Sequence, residues 1–281
     1  MSNFITRTIS GIIFVAIMVA GMAFNGVGMT FLFTLITSLA AWEFTGLVNE
    51  HRGADVNRFI TTVAASYLYL AFAGYCSGLT PSAVFIPYLL TIVYLFVSEL
   101  YLKHKDPIAT WAYTMLTQLY VALPLAMVNV LGFTADPSTG KVMFTGVLPL
   151  CVFVFLWMND TGAYCIGSLL GRHKLFPRVS PGKSWEGSVG GAVVVLIVAY
   201  VASRLTVINY PLTVAQWLGL GLTVVVFGTW GDLVESLFKR TIGIKDSGNV
   251  LPGHGGMLDR FDSSLMALPA AVVYLYTLSF I

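Results

Sequence analysis

Charge is what this sequence has least of. Only 10% of its 281 residues are Asp, Glu, Lys or Arg, while 57% are apolar, and the mean hydropathy is +0.83. So few charges cannot coat a water-exposed surface, which excludes an ordinary soluble globule. Cysteine is scarce too: Cys76, Cys151 and Cys165 form no CxxC pair and no metal-ligand spacing, and each falls in or beside an apolar run, so buried thiols are expected. There is no GxxxxGK[ST] loop to cradle phosphates, no GxSxG nucleophile elbow and no HExxH pair. His173 and His254 lack zinc-site spacing and read as structural or phosphate-adjacent. Tandem repeats, low-complexity tails and stretches long enough for a separate soluble domain are also missing, so residues 1–281 are expected to form a single integral membrane domain.

Long apolar runs are what the sequence has in abundance. They fall at about 9–24, 27–42, 59–76, 84–101, 110–131, 142–159, 187–203, 213–231 and 263–281. Each approaches the roughly 20 residues with which a helix crosses the hydrocarbon of a bilayer. The first run has no clean small-x-small cleavage site and turns at Asn25-Gly26 into the next, so it is expected to be retained. The runs predict an all-α, polytopic membrane helical bundle of about nine transmembrane helices.

The basic residues orient it. With the N-terminus in the cytoplasm, 13 of the 15 Lys and Arg fall in inner loops, leaving Lys141 and Arg204 outside. That asymmetry is the positive-inside pattern. The outer loops around Thr80, Asp136 and Asn209 are short or charge-poor, whereas the inner loops 171–186 and 238–262 are rich in charge and glycine. Any chemistry is therefore expected to face the cytoplasm.

Polarity gathers in two blocks, 159–187 and 228–262. In the second, a helix over 231–240 places Asp232, Glu235, Ser236 and Lys239 on one face at i, i+3, i+4, i+7 spacing. Carboxylates near a membrane core are costly unless paired, hydrated or bound to a cation. Gly253, Gly255 and Gly256 then allow a close turn, after which Asp259 and Asp262 share one face at the start of the last helix. Oxygen-rich clusters suit a hard divalent cation, above all Mg²⁺ held jointly by carboxylates and substrate phosphates. Asp232 and Asp259 come from opposite ends of one loop that a chain reversal would bring together; loop salt bridges are the alternative.

Lys239, Arg240, Lys245 and Arg260 flank these carboxylates in positions suited to phosphate, and Arg172, Lys174, Arg178 and Lys183 join them from the preceding inner loop. They interleave with Ser180, Ser184 and Glu186, which a positive-inside signal alone does not explain. Ser184 is placed either to cap a helix starting at Trp185, with Glu186 in its first turn, or to bind phosphate. Asn159 and Asp160 are expected to end an apolar helix and line the same inward-facing cavity. A cation plus basic side chains around an amphiphile points to phosphoryl or nucleotidyl transfer rather than triad hydrolysis. A transporter with charges along an ion path is the alternative of another class, although no inverted repeat is visible.

The stretch SLFKRTIGIKDSGNVLPGHGGMLDRFD, residues 236–262, resembles the signature of the phosphatidate cytidylyltransferase (CDP-diacylglycerol synthase) family, with Ser236, the Lys-Arg pair, the Lys-Asp pair, Pro-Gly-His-Gly-Gly and Asp-Arg-x-Asp in order. NDTGAYCIGSLLGRHKLFPRVSPGKSWEG, residues 159–187, resembles that family's other polar block. The resemblance implies Mg²⁺-dependent transfer of a cytidylyl group from CTP to phosphatidate, giving CDP-diacylglycerol and pyrophosphate for phospholipid biosynthesis. It also implies a homodimer among membrane phospholipids, in a bacterial cytoplasmic (inner) membrane, with no nucleic acid partner. Carried onto this chain, it makes Asp232 and Asp259 the leading metal ligands, with Asp246 and Asp262 supporting metal or nucleotide. Lys239, Arg240, Lys245 and Arg260 become phosphate holders, and Ser180, Lys183, Ser184 and Glu186 shape the nucleotide or headgroup site. Asn159, Asp160, Ser236 and His254 complete the substrate-binding candidates. The nearest enzyme alternative is a CTP-dependent polyprenol or phytol kinase; the DGxxAR pattern of CDP-alcohol phosphotransferases is absent.

Overall fold

A computed structural model describes residues 3–135, 139–205, 210–248 and 255–278, with side chains from residue 9 onward. His254, Asp136 and Asn209 lie outside the described residues. Helix dominates because lipid offers the backbone no hydrogen-bond partners, so each apolar run must satisfy its own N–H and C=O groups. Among the described residues seven helices are long and apolar enough to cross a membrane: α2 (Gly26–Arg52), α3 (Arg58–Cys76), the composite Pro107–Gly132, α8 (Val147–Leu170), α9 (Trp185–Arg204), α10 (Val214–Thr241) and α11 (Leu258–Leu278). Two shorter apolar segments lie within α1 (Asn3–Ala23) and across Ser82–Ser98, whose main part is α4 (Ile86–Ser98). The expected helical bundle is present; among the described residues length and composition identify seven of its helices as able to cross, and the two shorter apolar segments make up the other two of the nine expected runs. Many large apolar side chains, among them Ile12, Phe31, Leu90, Val193 and Tyr276, are exposed on the protein, as lipid-facing positions require. The chain is an integral membrane protein.

Two compact units are distinguished, one of Met1–Gly146 with Ile242–Phe261 and the other of Val147–Thr241 with Asp262–Ile281. In the first, α2 and α3 pack together. Phe33 and Tyr69 stack with ring centroids 6.3 Å apart, and the Ser38 and Ser66 hydroxyls hydrogen-bond at 2.7 Å. Thr30, Thr34 and Ser38 donate to carbonyls four residues back, the economical way to satisfy a hydroxyl in an apolar helix. α2 stops at Gly53, whose φ of 62° is the left-handed cap conformation and whose N–H donates to the Val48 carbonyl. The segment Pro107–Gly132 is interrupted: α5 (Pro107–Leu116) widens into a π turn over Thr117–Ala122 and resumes as the short α6 (Leu123–Ala126) and α7 (Val128–Gly132). Pro124 has no N–H to give the carbonyl four residues back, and within the π turn the buried Gln118 side-chain amide donates to the Thr61 carbonyl of α3 at 3.0 Å, tying the segment to that helix. A hairpin of β1 (Phe133–Ala135) and β2 (Val142–Phe144) follows.

In the second unit α8 and α9 cross at close range over small residues. A methyl group at Gly187 would stand 2.8 Å from the Ala163 carbonyl, and one at Gly191 only 2.5 Å from Asn159 Oδ1. Small residues at such crossings let two backbones approach where lipid provides no hydrophobic drive. This packing corrects one expectation. Asn159 and Asp160 do not end a helix: α8 runs on to Leu170, because the contact with α9 holds the following turns. The thiols need correcting as well, since only Cys151 is buried, Cys76 is half-buried and Cys165 is exposed. The polar loop between α8 and α9 is a small antiparallel hairpin, β3 (Lys174–Phe176) with β4 (Ser180–Ser184).

Candidate active site

The hairpin is clamped to the start of α9. Ser184 sits in extended conformation at the N-cap, where its hydroxyl accepts the Gly187 N–H at 3.1 Å. It therefore does the capping work, buried at the mouth of the helix. Glu186 in the first turn accepts the backbone N–H groups of Arg172 and His173 at 3.1 and 3.2 Å, and its carboxylate lies 2.5 Å from His173 Nδ1. His173 thus has a structural partner. The Trp185 N–H donates to the His173 carbonyl at 2.9 Å and closes the loop.

That clamp aims β4 at a cavity of about 470 Å³ bounded by α8, α9, α10 and the hairpin, within the size range of small-ligand sites. Asn159, Asp160, Ser180, Lys183, Ser184 and Asp232 all line it. Lys183 Nζ meets Asp232 Oδ2 at 2.5 Å, both side chains about a quarter exposed. The other oxygen of Asp232 accepts from the Ser236 hydroxyl at 3.1 Å, and Lys239 pairs with the fully buried Glu235 at 2.5 Å. The polar stripe expected on this helix is thus present and joined at i, i+4 in two places. Asp262, in the opening turns of α11, lies within electrostatic reach of Asp232, Asp160 and Lys239. Arg240 at the end of α10 is exposed, and Glu186 is not among the residues lining the cavity.

Whether this region suits Mg²⁺ turns on its donors. Among the described residues no three His, Cys, Asp or Glu side chains are grouped as a ready-made metal cage. A magnesium ion that keeps waters and takes phosphate oxygens needs only one or two carboxylates. Asp232 and Asp262 supply hard oxygens whose mutual repulsion a cation would relieve, with Asp160 adding to that field. The donor set fits.

Lys245, Asp246, Asp259 and Arg260 belong to the other unit. Lys245, Asp246 and Arg260 are exposed. Asp259 Oδ2 accepts the N–H groups of Ser247 and Gly256, each at 2.8 Å, and so closes the chain on either side of residues 249–254. The expected metal set of Asp232, Asp246 and Asp259 is consequently divided between the two units. In the same unit lies a residue the sequence reading did not single out. Glu43, buried in α2, accepts from the Ser247 hydroxyl and, at 2.7 Å, from the Met257 N–H. The available signal was a lone carboxylate inside an apolar run, LITSLAAWEFTGL.

Fold and cavity define the class: an integral membrane protein with a polar pocket, set between helices, in which the Asp160 and Asp232 carboxylates meet the Lys183 ammonium. Residues 5–278 match the model of the cytidylyltransferase family, and the chain belongs to that family. It is 52% identical over 122 residues to the phosphatidate cytidylyltransferase of Staphylococcus saprophyticus, covering 43% of this chain and 45% of that protein. A match of 51% over 122 residues links it to the enzyme of the same name from Staphylococcus haemolyticus, with the same coverage. The phosphatidate cytidylyltransferase of Haemophilus influenzae is 31% identical over 281 residues, 94% of this chain and 95% of that protein. The chain thus spans under half the length of the two staphylococcal relatives and nearly all of the third.

Proposed function

We propose that the protein transfers the cytidylyl group of CTP to phosphatidate, producing CDP-diacylglycerol and pyrophosphate for phospholipid synthesis. The observation that carries the reading is the Lys183–Asp232 pair at 2.5 Å in a polar cavity between membrane helices. A cation-bearing lysine held by a carboxylate is pre-oriented for phosphate oxygens, and the relatives' names supply the substrate class. A phosphate oxygen of phosphatidate attacks the α-phosphorus of CTP; that P–O bond forms as the α–β bridging P–O bond breaks and pyrophosphate departs. No covalent intermediate on the protein is needed. Lys183 and Lys239 offset the repulsion of two anionic reactants, and Asn159, Ser180 and Ser184 give the cavity wall hydrogen-bonding capacity. Asp232 and Asp262 would hold Mg²⁺, which when bound would supply charge neutralisation for the leaving pyrophosphate.

The same reading gives Asp246 and Asp259 supporting roles toward metal or nucleotide, and Arg240, Lys245, His254 and Arg260 roles toward phosphates. It includes a homodimer in a bacterial cytoplasmic membrane, and the placement of 13 of 15 basic residues in inner loops supports a site that opens to the cytoplasm. The test uses purified full-length protein with CTP, phosphatidate and Mg²⁺. Asp232→Asn and Lys183→Met are each expected to lower kcat by about 10²–10³-fold, the loss typical of one preorganised charge-stabilising group. They should do so while keeping the helical content and oligomeric state of wild type. Wild-type turnover in either variant removes that residue from the site; no CDP-lipid from the wild type removes the reaction.

A further inference from the structure

Glu43 sits where a carboxylate is least welcome, buried in the middle of an apolar helix. Leaving such a charge without partners costs several kcal/mol, so its neighbours are informative. Among the described residues no lysine or arginine forms an ion pair with it. Its donors come from the chain flanking residues 249–254: the Ser247 hydroxyl gives to one oxygen and the Met257 N–H, at 2.7 Å, to the other. The backbone presses on the carboxylate from two sides. A methyl group at Gly248 would come within 3.0 Å of Glu43 Cδ, and one at Gly256 would overlap Oε1. Ser247 is shared with Asp259, giving its N–H to that carboxylate and receiving the Asp259 N–H on its hydroxyl at 3.3 Å. A cavity of about 360 Å³ is lined by Trp42, Glu43, Arg58, Ser247 and Gly248 among others. Ser247 and Gly248 line that cavity together with Glu43, whose carboxylate holds the Ser247 hydroxyl.

We propose that Glu43 is a positioning residue: its buried carboxylate anchors Ser247 and Met257 and so sets where Lys245, Asp246 and Asp259 stand for the transfer reaction. The inference rests on the cytidylyl-transfer reading for its kinetic arm and on hydrogen bonds alone for its structural arm. Anchoring acts through the loop, so it governs turnover more than substrate capture.

The experiment measures hydrogen exchange of peptides spanning 242–258, together with kcat and the KM for CTP, in full-length wild type, Glu43→Gln, Ser247→Ala and the double variant. Thr37→Val, a buried change in the same helix, is the control. Glu43→Gln keeps size but leaves one oxygen, so exchange at 242–258 is expected to quicken while the control stays at the wild-type rate. kcat is expected to fall about tenfold or more, in keeping with the steep cost of sub-ångström misplacement, with a smaller change in KM. The double variant should be no worse than Glu43→Gln alone, because both changes break one contact. Should Glu43→Gln fail to insert, Ser247→Ala breaks the same bond from the loop side and carries the test. Wild-type exchange in these variants, additive losses in the double, or faster exchange with unchanged kcat each overturns the positioning role. A wild type that makes no CDP-lipid defeats the reaction instead, and the exchange measurements then still decide whether Glu43 holds the loop.

Discussion

Gly231 is the position where one added methyl group has the most legible cost. It is buried in α10, one residue before Asp232, and a methyl there would lie 2.6 Å from the Asp262 carbonyl oxygen and 3.0 Å from Ser263 Cα, both backbone atoms of α11. A carbon held against a carbonyl oxygen settles no closer than about 3.3 Å, so α10 and α11 must part by about 0.7 Å. Overpacking of this kind costs about 1–3 kcal/mol, and because backbone cannot rotate away the upper end applies. Alanine returns about 1 kcal/mol of helix propensity, leaving a net loss of about 2 kcal/mol for Gly231→Ala. Gly228→Ala, one turn earlier, is the internal comparison: its methyl crowds Leu156 Cδ2 at 2.5 Å, the free end of a side chain that can turn aside, and meets Ser263 only at ordinary contact distances of 3.9 and 4.0 Å. That variant is expected to be neutral or slightly stabilised. Thermal unfolding of the purified protein should therefore place Gly231→Ala below wild type by about 4–8 °C, at about 2–4 °C per kcal/mol, with Gly228→Ala at or above it. The shift also separates Asp232 from Asp262, so activity should drop about tenfold or more in Gly231→Ala alone. Equal midpoints for the two variants, or the reverse order, would refute the close α10–α11 contact on which the carboxylate pair depends.

Ser184→Ala removes the N-cap of α9 and is expected to cost about 1 kcal/mol, read as a drop of about 2–4 °C in the unfolding midpoint; an unchanged midpoint would mean the hydroxyl is not capping. In cells, a cysteine introduced by Lys245→Cys should resist a membrane-impermeant maleimide applied from outside, while one introduced by Lys141→Cys should react, both in a background lacking the native thiols. The opposite labelling would invert the topology.

The helices were legible because lipid allows an apolar run few other structures, and the stripe Asp232, Glu235, Ser236, Lys239 was legible because i, i+4 spacing fixes a face before any tertiary contact forms. Asn159 and Asp160 misled for a related reason: polarity after an apolar run resembles a helix end, whereas the continuation to Leu170 depends on α9 packing from outside the local sequence. The hairpin around Ser180 was hidden in a short stretch with two prolines and a glycine, whose pairing is set by Glu186 gathering the amides of Arg172 and His173. Glu43 was the hardest to find. Its partner Ser247 is 204 residues away, and a single carboxylate carries no spacing from which a distant partner can be inferred.

The reaction itself is tested most directly by the fate of the two ends of the nucleotide. Purified wild-type protein is given phosphatidate, Mg²⁺ and CTP carrying label at either the α or the γ phosphorus, and lipid is separated from the aqueous phase. Cytidylyl transfer sends the α label into the lipid and the γ label into pyrophosphate. Appearance of the γ label in the lipid, with CDP left in solution, would identify a CTP-dependent lipid kinase and contradict the account.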